Sequence, residues 1–113
     1  MERETAGSPS QLQENEINIG DLGPGKAKVV AMGGERIAVY NCDGHIYATQ
    51  ELCTHRQGPL HEGKLEGCVI QCPWHGSRFN VITGAVEKGP ATQPIKTYQV
   101  VVEGQVARIE KHA

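Results

Sequence analysis

At 113 residues the chain has the length of one domain, and an apolar content of 38% supports one modest core. A formal net charge of −2 argues against the broad basic field that draws a protein to nucleic acid or to anionic lipid. No window approaches the roughly 18 consecutive apolar residues of a membrane span, and MERETAGSPSQLQENE at the start lacks the apolar stretch of a secretory signal. The expected location is the cytoplasm, a reducing compartment, where four cysteines are better read as metal ligands or free thiols than as a disulfide framework.

In chain order, residues 1–14 are polar and carry no apolar period, so a disordered tail is expected there, followed by a single domain over 15–113. GDLGPGK, residues 20–26, matches part of a phosphate-binding loop. Ala27 stands where a magnesium-binding hydroxyl belongs, however, and Pro24 removes a backbone N–H from the cradle. The residues after it read as a strand, so an ordinary turn is expected.

EINIGDL, KAKVVAM, RIAVYNC, HIYATQE, GCVIQC, SRFNVI, IKTYQVVVE and QVARIE each have strand length and are rich in Val, Ile and Tyr. Gly, Asp and Pro punctuate them, and no segment of ten or more residues has helical period. The predicted class is all-β and antiparallel. NCDGHIY predicts a hairpin with Asp43-Gly44 at its turn, and VVEGQVARI predicts a second.

The stretch CTHRQGPLHEGKLEGCVIQCPWHGSRF, residues 53–79, carries the chemistry. Cys53 and His55 stand one residue apart, and Cys72 and His75 two apart, with sixteen residues separating the two pairs. Two thiolates and two imidazoles suit zinc or the iron of an iron-sulfur cluster. Structural zinc sites usually keep their cysteines together on one knuckle. Here each arm offers one of each kind, which suits a two-iron cluster better and leaves zinc as the alternative.

C-T-H followed by C-P-W-H-G, with GSRFNVITG after it, resembles the Rieske cluster-binding motif, and the strand pattern from about Asn15 to Glu110 is similar to a Rieske ferredoxin domain. The resemblance implies one 2Fe-2S cluster per chain, with Cys53 and Cys72 on the buried iron and His55 and His75 on the outer one. It implies an antiparallel sandwich or barrel with a small cluster-binding subdomain at about 51–90.

The proteins of this family in membrane cytochrome complexes carry two further cysteines where this chain has Gly58 and Trp74, and they carry a membrane anchor. The soluble, ferredoxin-type branch is therefore the better match. In it the chain would be an electron carrier and not an enzyme, passing electrons from a reductase to a terminal oxidoreductase such as a ring-hydroxylating oxygenase. A small subunit of a larger enzyme such as nitrite reductase is the alternative.

Charge sets the redox range. Two ferric irons, two sulfides and two thiolates sum to zero, so reduction is easier than for a four-cysteine cluster, within roughly −150 to +300 mV. In high-potential relatives a serine and a tyrosine at the positions of Ser77 and Phe79 donate hydrogen bonds to sulfur. This chain keeps only the serine, which predicts a potential toward the low end of the family range. Iron bound to His55 and His75 should lower the pKa of the remaining ring N–H, and reduction should raise it again.

Arg56, Gln57, Pro59 and the loop KGPA, residues 88–91, are expected to form a docking rim. Trp74 is expected to pack beneath the two loops. Cys42 and Cys68 are expected as small buried side chains, with Cys68 in a strand and too far from Cys72 for both to reach one cluster. His45 is read as a strand surface residue and His112 as part of a frayed C-terminus, and neither these nor His61 has a partner at metal-ligand spacing. Paired carboxylates with evident roles and nucleophile motifs are both missing.

Overall fold

The computed structural model describes residues 15–111, so the expected tail at 1–14 and His112 lie outside the described residues. A six-stranded sheet contains β1 (Glu16–Asn18), β2 (Ala27–Met32), β3 (Glu35–Cys42), β4 (His45–Gln50), β9 (Thr97–Glu103) and β10 (Val106–Glu110). Its order is β1-β10-β9-β4-β3-β2, antiparallel throughout. A smaller antiparallel sheet, β5 (Lys64–Glu66), β6 (Val69–Gln71), β7 (Arg78–Asn80) and β8 (Val86–Lys88), is inserted in the chain between β4 and β9.

Both predicted hairpins form. Cys42 pairs with His45 across Asp43-Gly44, whose φ angles of 57° and 96° match the right-handed twist of the flanking strands. Glu103 pairs with Val106 across Gly104-Gln105. The phosphate-loop look-alike is a turn closed by Lys26 N–H donating to the Gly23 carbonyl at 3.1 Å, and β2 follows at once.

The strand β3 explains how two sheets make one body. Successive side chains of a strand point to opposite faces. Ile37 and Val39 enter a core with Ile17, Leu22, Ala48, Tyr98, Ala107 and Ile109. Ala38 and Tyr40 enter a second core with Cys53, Leu60, Ile70, Cys72, Phe79 and Val81. Every residue from Ile37 to Cys42 is buried, which is why RIAVYNC reads as a nearly unbroken apolar run and not as an alternation. The first core fills the larger sheet, and the second fixes the smaller sheet and both cysteine-histidine arms against its other side.

Three elements were not anticipated. β5 and β8 are three residues each and mostly polar, formed because β6 and β7 offer them ladder partners. A short 3-10 helix at Leu60–Glu62 buries Leu60 completely. GCVIQC is not one strand: only Val69–Gln71 are extended, and Cys68 sits in the two-residue turn between Glu66 and Val69.

Candidate metal centre

Two loops of closely similar construction carry the predicted ligands. In the first, Cys53 N–H donates to the Gly58 carbonyl at 2.9 Å, and the Cys53 carbonyl accepts from Gln57 N–H at 2.7 Å. In the second, Cys72 N–H donates to the Ser77 carbonyl at 2.7 Å, and the Cys72 carbonyl accepts from Gly76 N–H at 3.1 Å. Each cysteine thus anchors a six-residue loop at its base. The fourth residue after each cysteine takes a left-handed conformation, Gln57 at φ 61° and Gly76 at φ 79°. The second loop uses the residue that tolerates this at no steric cost, while the first bends a glutamine into it.

The cysteines are buried and the histidines stand above them. Cys53 and Cys72 are 1% and 2% exposed and are free thiols. His55 is half-buried and His75 exposed, with the two rings edge-to-face at 5.1 Å between centroids. Gly58 lies between the loops: a Cβ there would sit 2.7 Å from Cys72 Sγ and 3.2 Å from the Trp74 ring. Only a residue without a side chain lets the loops approach this closely.

The donor set fits a cationic cluster. Burial pushes the Cys53 thiol above its ordinary value, and neighbouring Cys72 pushes the same way, against backbone N–H groups of His55 and Arg56 that favour the thiolate. Two adjacent buried thiols ionise together readily only beside a compensating cation. His55 Nδ1 is buried without a hydrogen-bond partner, a cost that a bond to iron would remove. Among the described residues no three His, Cys, Asp or Glu side chains converge on a single ion position, and these four stand as a thiol pair and an imidazole pair.

A carboxylate not singled out in the sequence holds the first arm. Glu51, 1% exposed, accepts the backbone N–H of His61 at 3.0 Å, and its other oxygen meets the His61 ring Nδ1. Leu60 N–H donates to the Glu51 carbonyl at 2.8 Å, and Leu52 bridges to Pro59. Together these close the arm at its root. His61, which has no partner at metal-ligand spacing, is thus engaged by this carboxylate. A buried polar group needs a hydrogen-bond partner, and the 3-10 helix brings this one ten residues along the chain.

Three further readings change. Trp74 does not pack beneath the loops: it covers Gly58 but is 57% exposed, since Cys72 and Cys53 already fill the interior. Ala91 is buried and donates its N–H to Ser77 Oγ at 3.0 Å, so it is not a rim residue, whereas Lys88, Gly89 and Pro90 are exposed. Cys42 and Cys68 are not independent small side chains but a disulfide, with Cα atoms 5.4 Å apart. Packing the β5–β6 turn on the end of β3 brought them together across 26 residues of sequence.

The fold and the paired arms define a small iron-sulfur protein of the Rieske kind. Residues 15–99 match the Rieske [2Fe-2S] domain family, and the chain belongs to it. It is 43% identical over 94 residues, 83% of this chain and 90% of its relative, to the ferredoxin component of the naphthalene 1,2-dioxygenase system of Pseudomonas aeruginosa. Among solved structures it resembles the ferredoxin of carbazole 1,9a-dioxygenase from Nocardioides aromaticivorans IC177, with a TM-score of 0.81 and 29% identity over 87% of this chain and 96% of that one. It also resembles a chain in a complex of reduced oxygenase and oxidized ferredoxin in carbazole 1,9a-dioxygenase, with a TM-score of 0.77 and 38% identity over 81% and 95% of the two chains. The family's cofactor is a 2Fe-2S cluster, and with that the zinc alternative falls away.

Proposed function

We propose that Cys53, His55, Cys72 and His75 hold the cluster, the two cysteines on the inner iron and the two histidines on the outer, in a one-electron carrier that is not itself an enzyme. The observation that carries this reading is the layering of the four side chains, with buried thiols below and imidazoles at the surface. When bound, the cluster supplies a reversible one-electron couple.

The protein's own residues do the rest. The cysteine-anchored loops fix the donor positions before metal arrives. Leu60, Ile70, Phe79 and Val81 keep water from the thiolate side. Thr54 Oγ1 donates to the Gln93 carbonyl at 2.7 Å, tying the first arm to the loop that follows β8.

The carrier takes electrons from a reductase and delivers them to the terminal oxygenase of a ring-hydroxylating system, the kind of system in which its relatives serve. Exposed Arg56, Gln57, Lys88, Gly89 and Pro90, with half-buried Pro59, surround His55 and His75 as the docking rim. The same proposal treats 15–113 as one domain with its cluster-binding part at 51–90. It places the carrier in the cytoplasm, which cell fractionation checks.

The test is composition and ligand replacement. The purified protein should contain two irons and two acid-labile sulfides per chain and give a rhombic electron paramagnetic resonance signal when reduced. Replacing any of the four ligands with Ala should abolish that signal. A full, unaltered signal in Cys72→Ala or His75→Ala would overturn the assignment.

A further inference from the structure

We propose that Cys42 and Cys68 form a second redox site, a dithiol/disulfide couple open to exchange with external dithiols, whose state decides whether the first ligand arm is covalently held. Cys42 is the last residue of β3 and is 2% exposed. Cys68, half-buried in the β5–β6 turn, is the more exposed of the two and so the sulfur that an external thiolate would attack. A Cα separation of 5.4 Å lies within the usual span of a disulfide, so bond formation requires no backbone movement.

The bond closes the chain between residues 42 and 68. That loop contains Cys53, His55 and the Glu51–His61 clamp, the whole of the first arm. One end of the bridge belongs to the larger sheet and the other to the smaller, so it staples the two together on one side of the arm. The pairing itself is independent of which residues bind iron. Only its effect on cluster retention rests on the proposed ligand set.

The exchange balances as follows. A thiolate of the external dithiol attacks Cys68 Sγ, and the Cys42–Cys68 bond breaks as the mixed disulfide forms. Cys42 leaves as a thiolate and takes up a proton. The second thiol of the donor then attacks its own sulfur in the mixed disulfide and releases Cys68, which is protonated in turn. The protein gains two electrons and two protons, and the donor becomes a disulfide. In a reducing compartment a disulfide of this kind is a responsive element, because the surrounding thiols can open it.

The experiment equilibrates the holoprotein anaerobically with graded mixtures of reduced and oxidised dithiothreitol, traps thiols with N-ethylmaleimide, and maps peptides by mass without reduction. Visible absorbance and its bleaching by an iron chelator are followed in the same samples. The peptides carrying Cys42 and Cys68 should be linked at the oxidised end and singly alkylated at the reduced end, through one two-electron transition at retained colour.

The reduced protein should bleach several-fold faster than the oxidised one. The double variant C42A/C68A should bleach at the reduced rate whatever the mixture. Alkylation of both residues in protein prepared without reductant would overturn the proposal, as would a link that survives excess dithiothreitol until denaturation. Equal bleaching rates for the oxidised and reduced forms would overturn the claim on the arm. A colourless C42A/C68A of normal fold would instead count against the ligand set, since neither residue belongs to it.

Discussion

Ser77 and Glu51 show how one buried polar side chain can serve two tasks. Ser77 is fully buried, and its Oγ accepts the Ala91 N–H at 3.0 Å, which leaves its own hydrogen free for the cluster or ligand sulfur that the family resemblance implies. Ser77→Ala should therefore lower the reduction potential by some tens of millivolts, since a donor favours the more negative reduced state, and should cost about 1–3 kcal/mol of stability for the orphaned N–H. Phe79→Tyr should raise the potential. Protein-film voltammetry and denaturant titration separate the two effects, and an unchanged potential in Ser77→Ala would show that the hydroxyl does not reach sulfur. Glu51→Ala strips His61 of both contacts and should cost about 2–3 kcal/mol, with the cluster bleaching faster under chelator. If bleaching is unchanged, the clamp stabilises the fold without positioning the arm.

At the scale of elements, the strand β3 carries more than its pairing. Its first residue, Glu35, accepts the Tyr98 hydroxyl from β9 at 2.7 Å and faces Lys96 and Lys111. The Tyr98 bond, and then the two lysines, hold the Glu35 carboxyl below its ordinary value. A carboxylate whose pKa is lower in the folded state stabilises the fold above its unfolded pKa, and the benefit is lost as pH falls through the folded value. Chemical denaturation across the acid range should therefore show wild type losing stability in that window, and Tyr98→Phe losing less, because the principal cause of the shift is gone. Identical acid limbs for the two proteins would exclude the link. The group is too exposed for the effect to be large.

At the scale of the whole molecule, the two cores give the halves different dependence on metal. The core between the smaller sheet and β3 includes Cys53 and Cys72, whereas the core inside the larger sheet includes neither. Stripping iron with acid and chelator should leave two buried thiols and an unpartnered imidazole nitrogen in the first of these. Amide exchange should then accelerate across residues 64–88 and stay slow across 97–110. Uniform acceleration would mean that β3 couples the cores into one cooperative unit.

What the sequence determined by itself was whatever depends on neighbours along the chain. The strands around Asp43-Gly44 and Gly104-Gln105 follow from local turn chemistry and alternation, and the proposed four-residue donor set is read from spacing within 53–75. The short polar strands β5 and β8 were not legible, because their ladder partners and not their own side chains make them strands. The tertiary structure alone paired Cys42 with Cys68 and Glu51 with His61, and it turned Trp74 outward while burying Ala91. No local pattern marks a cysteine whose partner is 26 residues away, or a carboxylate whose counterpart arrives on a later turn of the chain. Such contacts form only where packing two sheets on opposite faces of β3 brings the groups together and removes the water that would otherwise satisfy them.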